Sequence, residues 1–253
     1  MGLSDNDILS LVRAQLAIDL NCSADDFDRD GFVFSEAKEN PGRRPFPRGE
    51  RHFEMLTMGG AVIVSATPDI LPYLREQLDG KNRDDAFYMP FVHSSRVYFL
   101  PDNPCPLPMP DGIDVKILEL EHKDKVDIVS FCELTGFDDA DYQYYVNHPR
   151  PIELAALAMA DGNLAGMAGV NSDCEMMRQI GLTVQPEYRN RNIAAVLTNR
   201  LAFEIMAHGK VPYYGTPPSN VASQRVAHRA GFKPAWICAY RGRFDDTLTS
   251  PTG

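Results

Sequence analysis

The chain has 253 residues, 25 Lys and Arg against 35 Asp and Glu, a formal net charge of −10 and a pI near 5.0. Hydrophobic residues make up 44% and charged residues 24%, the balance of a soluble globular protein long enough for one large domain or two small ones. The acidic balance argues against a general nucleic-acid binder. The longest unbroken apolar run, Leu154 to Ala160, has seven residues, whereas a membrane helix needs roughly 20. The start, MGLSDNDILS, lacks the basic-then-apolar layout of a secretory signal. Cys22, Cys105, Cys132, Cys174 and Cys238 lie far apart with no CxxC, which disfavours a disulfide scaffold or a zinc site and fits a reducing compartment. The expectation is a cytoplasmic protein with no metal and no nucleic-acid or membrane partner.

In chain order, Asp7 to Leu20 carries Ile8, Leu11, Val12, Leu16 and Leu20 near helical spacing. Arg43, Arg44, Arg48 and Arg51 follow among Pro and Gly; they read either as a mobile anion-binding loop or as a solvated polar loop. Phe53–Thr57 and Ala61–Ala66 read as strands around Gly59-Gly60. Pro68–Leu78 reads as a helix capped by Thr67. His93, in FVHSSRVYFL, reads as a hydrogen-bonded core or surface histidine. Five prolines then fall within residues 101–110, which neither a helix nor a central strand accommodates. This predicts a stiff, extended spacer and a division into residues 1–104, a linker at 105–112, and a second domain at 113–253.

The second part is more regular. Ile113–Leu120 reads as a strand and Lys123–Thr135 as an amphipathic helix stopped by Gly136. Ile152–Ala160 and Leu164–Val170 form a hairpin around Asp161-Gly162-Asn163. Arg178–Val184 is a strand. A helix follows from Ile193, with Val196, Leu197, Leu201 and Ile205 on its apolar face and Gly209 ending it. A short strand at 211–215, a helix capped by Ser219 and ending at Ala230-Gly231, and a strand from Phe232 to Tyr240 complete the order β-α-β-β-β-α-β-α-β.

The segment 184–194, VQPEYRNRNIA, joins a strand to that helix. The first turn of a helix has backbone N–H groups without intrahelical partners, and with the macrodipole they make an anion site. Arg189 and Arg191 flank it and can donate bidentate bonds to phosphate. Asn192 occupies a place where positive φ would help, and Asn is the best non-glycine choice there. Ala194 permits close approach. These residues alone fit a diphosphate site and equally a helix that begins with two surface arginines.

The stretch IGLTVQPEYRNRNIAAVLTNRL resembles the acyl-CoA-binding signature of the GNAT superfamily of N-acetyltransferases: Arg or Gln, two residues, Gly, one residue, then Gly or Ala. Arg189, Arg191, Asn192 and Ala194 fill that frame. SNVASQRVAHRAGF is similar to the superfamily's last-helix pattern through Asn220, Ser223 and Gly231-Phe232. The chain is also similar to bacterial two-part members whose N-terminal half is a separate, divergent domain. The resemblance implies a mixed α/β sheet of the acyl-CoA N-acyltransferase fold with a smaller N-terminal α/β domain. It implies acetyl transfer from acetyl-CoA to an amine of a small molecule or peptide, by direct attack within a ternary complex. Leu182, Thr183 and Val184 would border the pantetheine arm, with backbone groups of Leu182 and Val184 bonding it. The amides of Arg189, Asn190, Arg191, Asn192, Ile193 and Ala194 would hold the diphosphate, and Asn220 the pantetheine or its neighbouring backbone.

Three positions depart from the family pattern. Asn192 replaces the usual Gly. Ala227, followed by His228, stands where many members place a thiolate-protonating Tyr, so Ser223 becomes the candidate hydroxyl donor. Arg178 and Gln179 stand where members using a carboxylate base carry Glu, leaving Gln179 to orient a water; Asp173 and Glu175 read as solvated turn residues. Tyr142, Tyr144 and Tyr145 read as acceptor-pocket lining or packing. At least one of Tyr213 and Tyr214 should face the cleft, and Trp236, Met176 and Met177 read as packing. The competing reading is a non-catalytic acyl-CoA-binding sensor or interaction module. Acceptor identity is not legible, and a homodimer stays open.

Overall fold

A computed structural model describes residues 3–44, 51–119, 152–172 and 174–242. In chain order the elements are α1 (Asp5–Leu20), β1 (Phe32–Glu36), β2 (Phe53–Thr57), β3 (Val62–Ala66), α2 (Leu71–Leu78), α3 (Arg83–Phe87), β4 (Val92–Pro101), β5 (Asp114–Glu119), β6 (Ile152–Ala160), β7 (Asn163–Ser172), β8 (Met177–Val184), α4 (Ile193–Ala207), β9 (Val211–Thr216), α5 (Val221–Arg229) and β10 (Phe232–Gly242). The expected helix at 123–135 and Tyr142, Tyr144 and Tyr145 lie outside the described residues. The chain divides into two compact units: Leu9–Tyr98 with Thr216–Asn220 and Pro234–Gly253, and Met1–Ile8 with Phe99–Gly215 and Val221–Lys233.

In the unit built around Leu9–Tyr98, β1 runs parallel to β3, while β2 is antiparallel to both β3 and β10. Met55, Val62, Val64, Ile70, Leu74 and Leu78 are buried together there. Helix α2 begins at Leu71, behind Ile70, with no side-chain cap. It starts later than the Thr67 cap predicted, because Pro68-Asp69 form a turn first. Strands β1 and β4 carry no strict alternation of burial.

The unit built around Phe99–Gly215 holds a mixed sheet in the order β9-β8-β7-β6-β5, antiparallel except for the parallel β8–β9 pair. Asp161 and Gly162, both at positive φ (50° and 82°), close the β6–β7 hairpin as a two-residue turn. Helix α4 buries Ile193, Val196, Leu197, Leu201 and Ile205, and also Ala195, Thr198, Asn199 and Ala202; a helix enclosed this far round packs as a core element. Gly209 (φ 69°) ends it: its N–H donates to Met206 O, and Lys210 N–H donates to Ile205 O, the paired bonds of a Schellman cap.

The Pro-rich stretch is tied to this unit at several points. Asn199 is fully buried; its Oδ1 accepts from Leu107 N–H (3.1 Å), and its Nδ2 donates to Cys105 O and Ala230 O (3.0 Å each). Pro104 sits against Gly231 so closely that a Cβ there would fall 2.9 Å from it. Arg191 reaches the far end of the stretch by donating to Asp111 O at 3.0 Å.

Candidate functional site

The parallel ladder between β8 and β9 runs from Met177↔Val211 to Ile180↔Tyr214. Beyond that rung, Gly181, Leu182, Thr183 and Val184 keep their partners on β7 but are not paired with β9. Their open edge offers backbone N–H and C=O groups to an extended ligand. Leu182 and Thr183 are half-buried and Val184 is buried.

The turn after β8 is built from backbone strain that its residues tolerate. Pro186–Tyr188 form one 3-10 turn. Asn190 (φ 62°) and Asn192 (φ 64°) are both left-handed, the conformation Asn adopts most readily after Gly. Asn192 is the N-cap of α4 without a side-chain capping bond, while its carbonyl accepts from Val196 N–H. By helix geometry the amides of Ile193, Ala194 and Ala195 have no intrahelical acceptor. Ile193 is buried against the sheet; Ala194 leaves room beside the first turn, and its carbonyl accepts from Thr198 Oγ1.

The two arginines do more than the sequence suggested. Arg189 Nε donates to Val184 O at 3.1 Å. Arg191 donates to Asp111 O and stacks over the Tyr188 ring at 5.9 Å. Each guanidinium has five donors, so each braces the turn while retaining N–H groups for an anion.

The β8–β9 register sorts the remaining candidates by face, because successive side chains on a strand point to opposite sides. Ile180, Leu182, Val184 and Tyr214 share the face covered by α4, where a Cβ on Gly166 would meet Val184 and Ile193. Gln179, Thr183 and Tyr213 share the other. Tyr213 donates to Gln179 Oε1 at 3.2 Å, and Gln179 stands opposite Asn171 on β7. Tyr214 meets Ser223 of α5, with 2.6 Å between their hydroxyl oxygens. The structure therefore places Gln179 and Ser223, both proposed as catalytic, on opposite faces of the sheet. Ala227 is fully buried and His228 is exposed, so neither stands in for the missing tyrosine. Arg178 is held by Glu153 at 2.8 Å and by the carbonyls of Cys174, Glu175 and Met177. Asn220 directly precedes α5, exposed, its N–H donating to Pro217 O. Asp173 lies outside the described residues. Among the described residues no group of three or more His, Cys, Asp or Glu is placed to hold a metal ion.

Residues 117–232 match the family model described as the acetyltransferase (GNAT) family. This segment is a GNAT acetyltransferase domain. The GNAT domain spans β8, the strained turn, α4, β9 and α5. Among solved structures, the chain is similar to a GNAT-family protein of Novosphingobium aromaticivorans, at 24% identity and a TM-score of 0.40, covering 58% of this chain and 63% of that one. An acetyltransferase from the GNAT family of Colwellia psychrerythraea aligns over 96% of this chain and 99% of its own, at 12% identity and a TM-score of 0.48. A GCN5-related N-acetyltransferase-like protein of Streptococcus suis covers 72% of each chain, at 13% identity and a TM-score of 0.44. This chain thus spans under two thirds of the Novosphingobium protein. No curated protein matches it.

Outside the GNAT match, the described arginines of the 43–51 cluster are held by ion pairs and hydrogen bonds. The Arg43 side chain is only 4% exposed, its Nε donating to Asp19 O and its guanidinium lying 3.2 Å from His52 Nε2 and 3.8 Å from Glu54. Arg44 pairs with buried Asp19 at 2.6 Å, and Arg51 with Asp69 at 2.8 Å; Arg48 lies outside the described residues. Burial, then the Arg43 charge, pushes His52 down to about 4. Burial raises both Glu54 and the Cys238 thiol that donates to it at 3.3 Å. Trp236 is buried and stacked on Tyr98 at 4.8 Å. His93 is exposed.

Proposed function

We propose that this protein is a cytoplasmic N-acetyltransferase that moves an acetyl group from acetyl-CoA to an amine of a small molecule or peptide. The observation that carries this reading is the pairing of an open β8 edge at 181–184 with a left-handed Asn192 that leads into the first turn of α4. An extended pantetheine arm suits the first and a diphosphate the second. Leu182, Thr183 and Val184 border the arm. The amides from Arg189 to Ala194, with the unspent guanidinium donors of Arg189 and Arg191, take the diphosphate. For Asn220, just ahead of α5, the reading keeps the family role of bonding the pantetheine or its neighbouring backbone.

In this reading the neutral amine attacks the thioester carbonyl while both substrates are held. Orientation supplies most of the acceleration, and a backbone N–H at the open edge of β8 stabilises the developing oxyanion. Gln179, steadied by Tyr213, faces the side opposite α4 and orients the acceptor or a water there. No carboxylate base is needed for an amine that arrives unprotonated.

The test mixes protein, acetyl-CoA and a broad panel of amines and follows thiol release. Acetyl-CoA-dependent release with at least one amine supports the reading. A folded protein that binds CoA but releases no thiol with any amine favours the non-catalytic acyl-CoA sensor instead.

A further inference from the structure

Tyr214 belongs to neither the 182–194 signature nor the last-helix pattern, yet it stands at the end of the β8–β9 ladder. It stands opposite Ile180 on the last rung before β8 and β9 part. The turn from Gln185 to Asn192 lies at the open end of that parting, since it follows Val184 directly. A coenzyme with its diphosphate on the turn and its arm along Leu182–Val184 runs towards the rung where the strands converge. Its thioester end, the end away from the diphosphate, reaches the Ile180–Tyr214 rung. Tyr214 points to the α4 side of the sheet. There its hydroxyl lies 2.6 Å from that of Ser223, within the range of a good O–H···O bond. Tyr214 is 6% exposed and Ser223 is half-buried, so solvent reaches the pair from the serine side.

Resting on the acetyltransferase reading, we propose that Tyr214 and Ser223 form the proton-donating pair for the leaving thiol, replacing a tyrosine that Ala227 cannot supply. The amine nitrogen forms a bond to the thioester carbonyl carbon, and the carbon–sulfur bond breaks. Sulfur takes its proton from the Ser223 hydroxyl, and Ser223 takes one from Tyr214. The nitrogen releases one proton to water, and water on the serine side returns one to Tyr214 through Ser223, so the products are the N-acetyl amine and the free thiol. Ser223 is the catalytic member, and Tyr214 is a positioning residue that acts through it. A thiol with a reference pKa near 8.5 leaves without strong acid help, so the effect lies at or below the low end of general acid catalysis.

The experiment compares wild type, Tyr214→Phe, Ser223→Ala and Ser223→Thr for acetyl-CoA affinity by calorimetry, and for kcat, KM and solvent deuterium isotope effect with an amine the wild type accepts. The proposal expects kcat to fall about ten- to a hundredfold in Tyr214→Phe and Ser223→Ala, with acetyl-CoA affinity within about twofold of wild type. It expects a changed isotope effect in both and partial recovery in Ser223→Thr. If Tyr214→Phe fails to fold, Ser223→Ala and Ser223→Thr decide alone. Wild-type turnover with undiminished kcat and an unaltered isotope effect in the variants overturns the pair and leaves the acetyltransferase reading intact. A wild type that turns over no amine overturns both.

Discussion

Gly166 of β7 and Ile193 in the first turn of α4 approach so closely that a Cβ on Gly166 would stand 3.4 Å from Ile193 Cγ2. The same Cβ would lie 3.1 Å from both Thr183 O and Val184 Cγ2. The absence of a side chain at 166 thus seats the start of α4 and the open end of β8 together. Gly166→Val should cost about 1–3 kcal/mol by overpacking and weaken acetyl-CoA binding several-fold; Gly166→Ala should do less of each. Denaturant unfolding and calorimetry check the two effects. Unchanged affinity in Gly166→Val would mean that the turn is positioned by something else.

Asn192 holds φ at 64°. A residue with a Cβ and no local hydrogen-bonding group pays about 1–2 kcal/mol for the left-handed region. Asn192→Ala should therefore lose about that much stability, whereas Asn192→Gly should be near neutral, since glycine reaches this region freely. Thermal melts of the two variants give the comparison. Equal melting temperatures for Ala and Gly would contradict the strain argument.

Arg189 and Arg191 each brace the turn through one main-chain carbonyl. Replacing both by Glu should weaken acetyl-CoA binding by tenfold or more, about 1.4 kcal/mol, and leave dephosphorylated pantetheine derivatives much less affected. The loss should shrink at high ionic strength, where exposed charges are screened. Titrations at two salt concentrations test it; equal losses for both ligands would remove the diphosphate from the site.

Asn199 satisfies three main-chain groups from full burial. Asn199→Leu leaves the N–H of Leu107 and the carbonyls of Cys105 and Ala230 without that partner. A buried group left unmet costs about 1–3 kcal/mol, so a loss of about 3 kcal/mol is expected from urea unfolding. A loss below about 1 kcal/mol would show that water replaces the amide.

His52 titrates near 4 in the folded chain, against an unperturbed value of 6.5. The folded value is the lower one, so between these pH values the unfolded chain binds more protons and stability rises with pH. Wild type should lose stability relative to His52→Gln as pH falls from about 6.5 to about 4, by up to about 3 kcal/mol. Above pH 6.5 the difference should be flat. Using the difference removes the opposing contribution of Glu54, whose carboxyl burial raises. Parallel stability curves across that window would place His52 in solvent.

Local chemistry made much of the GNAT domain legible in advance. The Asp161-Gly162 turn, the Gly209 cap and the apolar spacing of α4 are decided within a few residues, where φ preferences and helical period act without reference to the rest of the chain. The run from Val184 to Ala194 announced its left-handed Asn192 in the same way. The sequence was silent where partners are distant along it. Nothing local says that Arg43 and Arg44 are drawn inward by Asp19 and Glu54, that Asn199 gathers Cys105, Leu107 and Ala230, or that Tyr214 reaches Ser223 while its neighbour Tyr213 reaches Gln179. Those pairings follow from strand register and helix packing, because a one-residue step on a strand reverses the face a side chain serves. Only the folded sheet fixes which face that is.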